Sequence, residues 1–395
     1  MITIGSIEQV VSNFLKTRSV KTDNLVFRLH YQVTCFIFIV ASVILVTNQL
    51  FGEPIDCYTD KSESMEYGFK KTIDNFCWVT SIFTVKEHLC RKIGVEITYP
   101  GIGVFTPTHT PFDIHVTYRV LFFVMFLQGM SFYLPKLIWK SWESHKMKML
   151  SAELENPLLE YETQTSIIRR LTEYLLYGQM NGSIKYAFHL HFCEMMNLVI
   201  VGLNIWITDY LFRKEFIGYG INTIAALFSD SSYDPECNDP ISSLFPRIAK
   251  CEMRSFGPSG SIVNKDIVCV LPLNDFNSCF FKFIWAWFAV LLTTSVFWLM
   301  FRVVTFYSRR LRYWLLSRRA GRLPVLTSHN HDGGNCCFKI CSRISYADWV
   351  ILMQLGNNMD PLTYKYFLES ICQQIHMKEA EKIPQVREKI YYSPV

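Results

Sequence analysis

Charge is what the longest stretches of this 395-residue sequence lack. Leu29 to Gly52 carries no formal charge, and Phe283 to Phe301 is bracketed only by Lys282 and Arg302. Ile114 to Pro135 holds the single charge of Arg119, and Tyr186 to Thr208 has Glu194 as its only acid. A bilayer core about 30 Å thick needs roughly 20 residues of apolar helix. One such stretch can be a buried helix of a soluble core, but four in one chain exclude an ordinary soluble domain. Catalytic fingerprints are also missing. There is no Walker loop, no H-E-x-x-H, no G-x-S-x-G and no dinucleotide-binding glycine pattern, so nothing supports an enzyme and no cofactor is implied. A removable signal peptide is not expected either, because the first 30 residues are spotted with polar side chains and the first apolar run is too long.

The net charge of +5 has no separate basic domain to carry it, which removes the reason to propose nucleic acid. The basic residues crowd against span ends instead. Arg302, Arg309, Arg310, Arg312, Arg318, Arg319 and Arg322 follow the fourth span with no acid among them, which assigns that end to the cytoplasm. An even number of spans places the N-terminus there too, in agreement with Lys16, Arg18, Lys21 and Arg28. The expected organisation is an N-terminal segment 1–25, spans at 26–51, 114–138, 186–210 and 281–306, outer loops at 52–113 and 211–280, an inner loop at 139–185 and a cytoplasmic region 307–395. The sequon Asn181-Gly182-Ser183 falls on the inner side and is expected to stay unmodified.

Cysteine usage sorts by compartment. Cys57, Cys77 and Cys90 fall in the first outer loop, Cys237, Cys251 and Cys269 in the second, and Cys279 at the mouth of the fourth span. Cys336, Cys337, Cys341 and Cys372 lie inside, where disulfides are not expected to persist. Cys35 and Cys193 sit within spans as small apolar fillers. Nineteen residues separate Cys57 from Cys77 and seventeen separate Cys251 from Cys269, a match that suits two loops stapled side by side. Four cysteines allow three connectivities, and spacing does not choose among them. Turn signals at Gly52 to Cys57, Tyr99 to Val104 and Gly257 to Gly260, with a β-prone run from Ile267 to Leu273, point to a small, partly β outer layer.

Three further features have more than one reading. Ser6 to Leu15 places Ile7, Val10, Val11, Phe14 and Leu15 at helical spacing, which suits either a pore-lining helix or one lying on the membrane surface. Glu194, a carboxylate at membrane depth, either hydrogen-bonds a neighbouring helix or biases ion passage. His189 and His191, two apart, face different sides of a helix and do not make a metal site. His329, His331, Cys336, Cys337 and Cys341 form a cytoplasmic cluster readable as a solvated loop, a lipidation site or a zinc site, although no paired C-x-x-C is present. From Ser345 onward the pattern is soluble helix, with Gly356-Asn357-Asn358 expected as a stop and Asp360-Pro361 opening the next helix.

The motifs then combine. FRLHY at Phe27 to Tyr31, PIDCY at Pro54 to Tyr58, FCWVTSIFT at Phe76 to Thr84 and YPGIGV at Tyr99 to Val104 occur in order. They are followed by FYLPKLIWKSWE at Phe132 to Glu143, FCEMMN at Phe192 to Asn197, FPRIAKC at Phe245 to Cys251, FGPSGS at Phe256 to Ser261 and CVLPLN at Cys269 to Asn274. DWVILMQLGNNMDPLTY at Asp348 to Tyr364 completes a pattern that resembles the innexins, the invertebrate gap-junction proteins, over nearly the whole chain. One stretch departs. Where the family has tyrosine, tyrosine, glutamine, tryptophan, valine, this chain has Thr117-Tyr118-Arg119-Val120-Leu121, with the arginine expected to snorkel from the second span.

The resemblance implies an all-α polytopic membrane protein, a four-transmembrane-helix subunit with a small disulfide-stapled α/β extracellular layer and a helical cytoplasmic dome. It implies the pairings Cys57 with Cys269 and Cys77 with Cys251, and a pore mouth lined by Met1, Ile2, Thr3 and Ile4. It also implies a plasma-membrane gap junction of homo- or hetero-oligomeric rings, octameric with other innexins, in contact with membrane lipid and docked to a ring of the apposed cell. The function implied is passage of ions and small solutes between cells, without cofactor or metal. A non-conducting adhesion or scaffold protein using the same stapled loops is the alternative.

Overall fold

A long apolar segment in lipid has no water to satisfy its backbone, so helix is the conformation open to it even where β-branched residues are dense. The computed structural model describes residues 22–58, 67–80, 82–89, 91–104, 110–115, 117–144, 146–151, 161–177, 180–218, 245–320 and 333–391. Four of its helices are long and apolar enough to cross a membrane: α1 (Leu25–Phe51), α3 (Leu121–Glu143), α6 (Met180–Leu211, apolar from Gly182) and α7 (Pro272–Tyr307). The remaining helices are α2 (Tyr67–Thr80), α4 (Lys146–Ser151), α5 (Tyr161–Tyr177), α8 (Arg309–Ala320), α9 (Gly333–Arg343), α10 (Tyr346–Asn358) and α11 (Pro361–Tyr391). Strands β1 (Asp56–Tyr58), β2 (Ile82–Val85), β3 (Phe112–His115), β4 (Ile248–Phe256) and β5 (Ile262–Val270) form one antiparallel sheet in the order β1-β5-β4-β2-β3.

The chain forms two compact units. One comprises residues 29–134 and 197–295. Its core is aromatic, with Phe38 packed on Phe132, Phe280 and Phe288, and Phe212 edge-on to Phe245 and Phe281. α1 carries a π-helical turn over Leu29–Thr34, a widening that often marks functional positions. There the Thr34 hydroxyl donates to the Leu29 carbonyl and accepts from Trp287 Nε1, both at 2.9 Å. His30 is fully buried in the same turn, its Nε2 at 2.8 Å from Ser295 Oγ. A second cluster beneath the sheet gathers Ile55, Ile73, Ile82, Tyr118, Ala249, Ile267 and Leu271 around four cysteines.

The second unit comprises residues 22–28, 135–196 and 296–391 of the described chain. α10 opens on Ser345, whose hydroxyl accepts from Asp348 N, and α11 opens at Pro361, with the Asp360 carboxylate accepting from Leu362 N. α10 ends at Asn358, the last residue of the expected stop Gly356-Asn357-Asn358, and Gly356 lies inside its final turn. A Cβ there would lie 2.8 Å from Tyr364 Cζ, so the glycine admits the Tyr364 ring against the helix.

Other boundaries differ from expectation. Residues 112–115, assigned above partly to the second span, form β3, paired with a β2 whose four residues are all buried. The helix begins at Leu121 and continues through Pro135 to Glu143. Arg119 therefore precedes the helix instead of snorkelling from it. Its Nη1 donates to the carbonyls of Val79 at 2.7 Å and Trp78 at 3.3 Å, capping the C-terminal end of α2. α2 itself was hidden in a segment expected to be partly β. The hairpin's second strand starts at Ile262, earlier than the β-prone run suggested, just after the Gly257–Gly260 turn closed by Gly260 N to Gly257 O.

Candidate functional site

Two constellations stand out, one in each unit. In the first unit, Cys57 and Cys269 are directly opposite across β1 and β5, with their Cα atoms 4.0 Å apart, and are disulfide-bonded. Cys77, on α2, is bonded to Cys251 on β4, which pins the helix to the sheet. The bonds join segments 212 and 174 residues apart in sequence. Losing a native disulfide typically costs about 2–5 kcal/mol. The sulfurs of Cys57, Cys77 and Cys269 lie within 4.8 Å of one another, but as disulfides they offer no thiolate to a metal.

Polar contacts extend this lock. Lys70 Nζ lies 2.8 Å from Asp56 Oδ1 and Tyr58 donates to Oδ2 at 2.6 Å, which hold the Asp56 carboxyl below its ordinary range. Asp113 on β3 receives Arg213 at 2.7 Å and Lys86 at 3.1 Å. Burial pushes its carboxyl up, but the two cations outweigh burial and the balance lies below the usual value. Lys250, almost wholly buried, donates to the Gly103 carbonyl at 2.8 Å and meets Asp266 at 2.9 Å, so the Tyr99–Val104 loop is tied to the hairpin. Gly101 in that loop has φ +76°, and a Cβ would meet the Thr84 Cβ at 2.9 Å. No other residue fits that turn without strain.

In the second unit, Glu194 is buried and saturated with donors. Arg302 reaches it through Nη2 at 2.8 Å and Nε at 3.1 Å, Trp298 through Nε1 at 2.9 Å, Asn24 through Nδ2 at 2.6 Å and His191 through Nδ1 at 3.0 Å. An ionised carboxylate only accepts, so His191 carries its proton on Nδ1 and its Nε2 faces the Tyr346 hydroxyl at 3.1 Å. The segment entering α1 is held at three further points: Lys136 on Asp23, Trp139 Nε1 donating to Thr22 Oγ1 at 3.4 Å, and Gln354 donating to the Thr22 carbonyl. His189 stacks on Trp142 with centroids 4.4 Å apart.

Met1, Ile2, Thr3 and Ile4 lie outside the described residues, as do Cys90, Cys237, His329 and His331. Cys279 is exposed and free. Cys337 and Cys341 are buried on α9. Burial pushes both thiols up, Cys341 to about 11, which disfavours acylation of either at neutral pH. Cys372 is disulfide-bonded, against the expectation for the inner cysteines. The sequence singles out neither Arg302, Trp298 and Asn24 as partners of Glu194 nor Tyr346 as the partner of His191. An acid within one apolar span and a base at the end of another are the available signal, but in the sequence Arg302 marks only topology.

The innexin family model matches residues 23–375, which includes the disulfides Cys57–Cys269 and Cys77–Cys251 and Glu194 with all its donors. The chain belongs to the innexin family. It is 32% identical to Innexin inx2 of Schistocerca americana over 369 residues, covering 93% of this chain and 98% of the relative. Innexin inx2 of Drosophila melanogaster is 34% identical over 365 residues, at 92% and 94% coverage. Innexin shaking-B of the same fly is 30% identical over 380 residues, at 96% and 97%. Innexins are gap-junction channel proteins, and this innexin combines four apolar helices with a disulfide-stapled antiparallel sheet.

Proposed function

We propose that this innexin assembles, with copies of itself or with other innexins, into an octameric ring around an aqueous pore. The ring docks with one in the apposed cell and passes ions and small solutes. Both termini lie in the cytoplasm, and Met1, Ile2, Thr3 and Ile4 line the narrowest part of the path. The observation that carries the reading is the doubly stapled sheet. Docking across an intercellular gap favours a surface whose shape exists before contact, because ordering it on contact costs interaction energy. The disulfides Cys57–Cys269 and Cys77–Cys251, with the Lys250 and Asp113 contacts, supply that rigidity. The uninterrupted arginines after Arg302 support the orientation.

Paired-cell electrical recording tests the proposal. Coupling is expected when both cells express the chain, alone or with another innexin, and is lost in Cys57→Ser and Cys251→Ser at unchanged surface abundance. Surface-expressed protein that holds cells together without coupling, whatever innexin accompanies it, makes the chain an adhesion or scaffold protein instead.

A further inference from the structure

An open apolar groove of about 350 Å³ lies in the unit that holds Glu194, lined by Ile184, Ala187 and Phe188 of α6, Phe306 of α7 and Tyr346 of α10, with His191 among them. That volume falls within the roughly 300–1,000 Å³ typical of small-molecule sites. Its walls come from the terminal turns of two membrane-length helices. Phe188, Ile184 and Phe306 are all exposed.

Tyr346, one wall of the groove, also carries a cation on its ring. The Arg312 guanidinium lies over the ring of Tyr346, 5.9 Å from its centroid, and the residue is only 7% exposed. Its Nε is buried without a hydrogen-bond partner, and among the described residues no carboxylate pairs with it. Arg302 differs, being neutralised by Glu194. No acid occurs between Asp275 and Asp332 to serve Arg312 from nearby sequence. A guanidinium with a buried, unsatisfied Nε and no carboxylate partner is costly, and the cost is relieved by an anion.

We propose that the groove binds an anionic phospholipid, its acyl chain along Ile184, Ala187, Phe188 and Phe306 and its phosphate on Arg312. The occupant is a lipid because the walls are apolar and belong to helices that end at a bilayer surface. It is anionic because the cation on Tyr346 has no carboxylate partner among the described residues. A zwitterionic lipid presents the same chain but a weaker net attraction.

The test uses the full chain in nanodiscs containing phosphatidylserine or phosphatidylcholine with a photoactivatable diazirine in the acyl chain. Peptide mapping is expected to find the label between Ile184 and His191 and at Phe306, with phosphatidylserine favoured about fivefold, because both lipids offer a phosphate but only phosphatidylserine keeps a net negative charge near the arginine. Unlabelled phosphatidylserine should compete and phosphatidylcholine should not, a result that needs no variant. Arg312→Gln should bring phosphatidylserine labelling down to the phosphatidylcholine level, and Ala187→Trp should remove both, in protein that elutes as wild type on size exclusion. Equal labelling by the two lipids in wild type, or undiminished preference in Arg312→Gln, overturns the proposal.

Discussion

Arg302 meets Glu194 side-on through two hydrogen bonds, Nη2 to Oε1 at 2.8 Å and Nε to Oε2 at 3.1 Å, a forked arrangement that lysine cannot reproduce. The same carboxylate receives Asn24, Trp298 and His191, so one acid on α6 joins the entrance of α1, the end of α7 and, through His191 and Tyr346, the start of α10. Removing one member of a buried pair leaves the other charge uncompensated, at about 3–5 kcal/mol, while removing both is far cheaper. Glu194→Gln is therefore expected to lower the unfolding temperature of the purified protein markedly, and Glu194→Gln combined with Arg302→Met to recover most of the loss. A double variant no more stable than the single one would show that the pair is not the source of the stability.

Asn24 has two jobs that a pair of substitutions separates. Its Oδ1 accepts from Phe27 N at 2.6 Å, capping α1, and its Nδ2 donates to Glu194. Asn24→Ala loses both. Asn24→Asp keeps a good cap but sets a second carboxylate against Glu194. The aspartate variant is expected to be the less stable of the two by thermal unfolding. The opposite order would mean that the cap matters and the contact with Glu194 does not.

Arg119 replaces the glutamine of the family's motif and closes the C-terminal end of α2 through two backbone carbonyls. Arg119→Leu leaves those carbonyls without their donor. Amide exchange at residues 77–80, next to the Cys77–Cys251 bond, is expected to quicken several-fold while β4 and β5 are unchanged, since about 1 kcal/mol is at stake in such caps. Arg119→Gln, which keeps a donor, should fall between.

Four spans were legible because a run of about 20 residues with at most one charge has few alternatives, and each contributes most of its length to a long helix, the second only from Leu121 onward. Their ends were less so. Ile114 is as apolar as a span residue, but in β3 it pairs with Phe83, a partner 31 positions away that no local pattern reveals. α2 is hard to read although Phe69, Ile73, Phe76 and Cys77 keep helical spacing, because its β-prone end at Val79 and Thr80 runs almost directly into the strand Ile82–Val85. The stop at Gly356-Asn357-Asn358 is legible, since α10 ends at Asn358, but the need for glycine at 356 is set by Tyr364 eight residues on. The Glu194 cluster was half visible: the acid was conspicuous, but its donors sit 170 residues before it and 104 and 108 after it, and only folding brings them together.

The carboxylates of the stapled layer set its response to acid. Asp56 is held low chiefly by Lys70 and Tyr58, and Asp113 is held low by Arg213 and Lys86 despite its burial. A carboxyl whose folded value lies below its unfolded value stabilises the fold above the unfolded value, and that contribution disappears as the pH falls through the folded one. Asp74, pushed up by burial, works in the opposite direction and offsets part of the effect. Amide protection of β1 and of the β2–β3 pair is therefore expected to be flat from about pH 7 to 5 and to weaken below about pH 4, where free carboxyls titrate. β4 and β5, paired over nine residues and bonded through Cys251 and Cys269, should change least. In Asp113→Asn the β2–β3 pair should be less protected at pH 7 and its dependence on pH flatter, because the group whose proton uptake drives the loss is gone. An unchanged profile in that variant would place the acid sensitivity elsewhere.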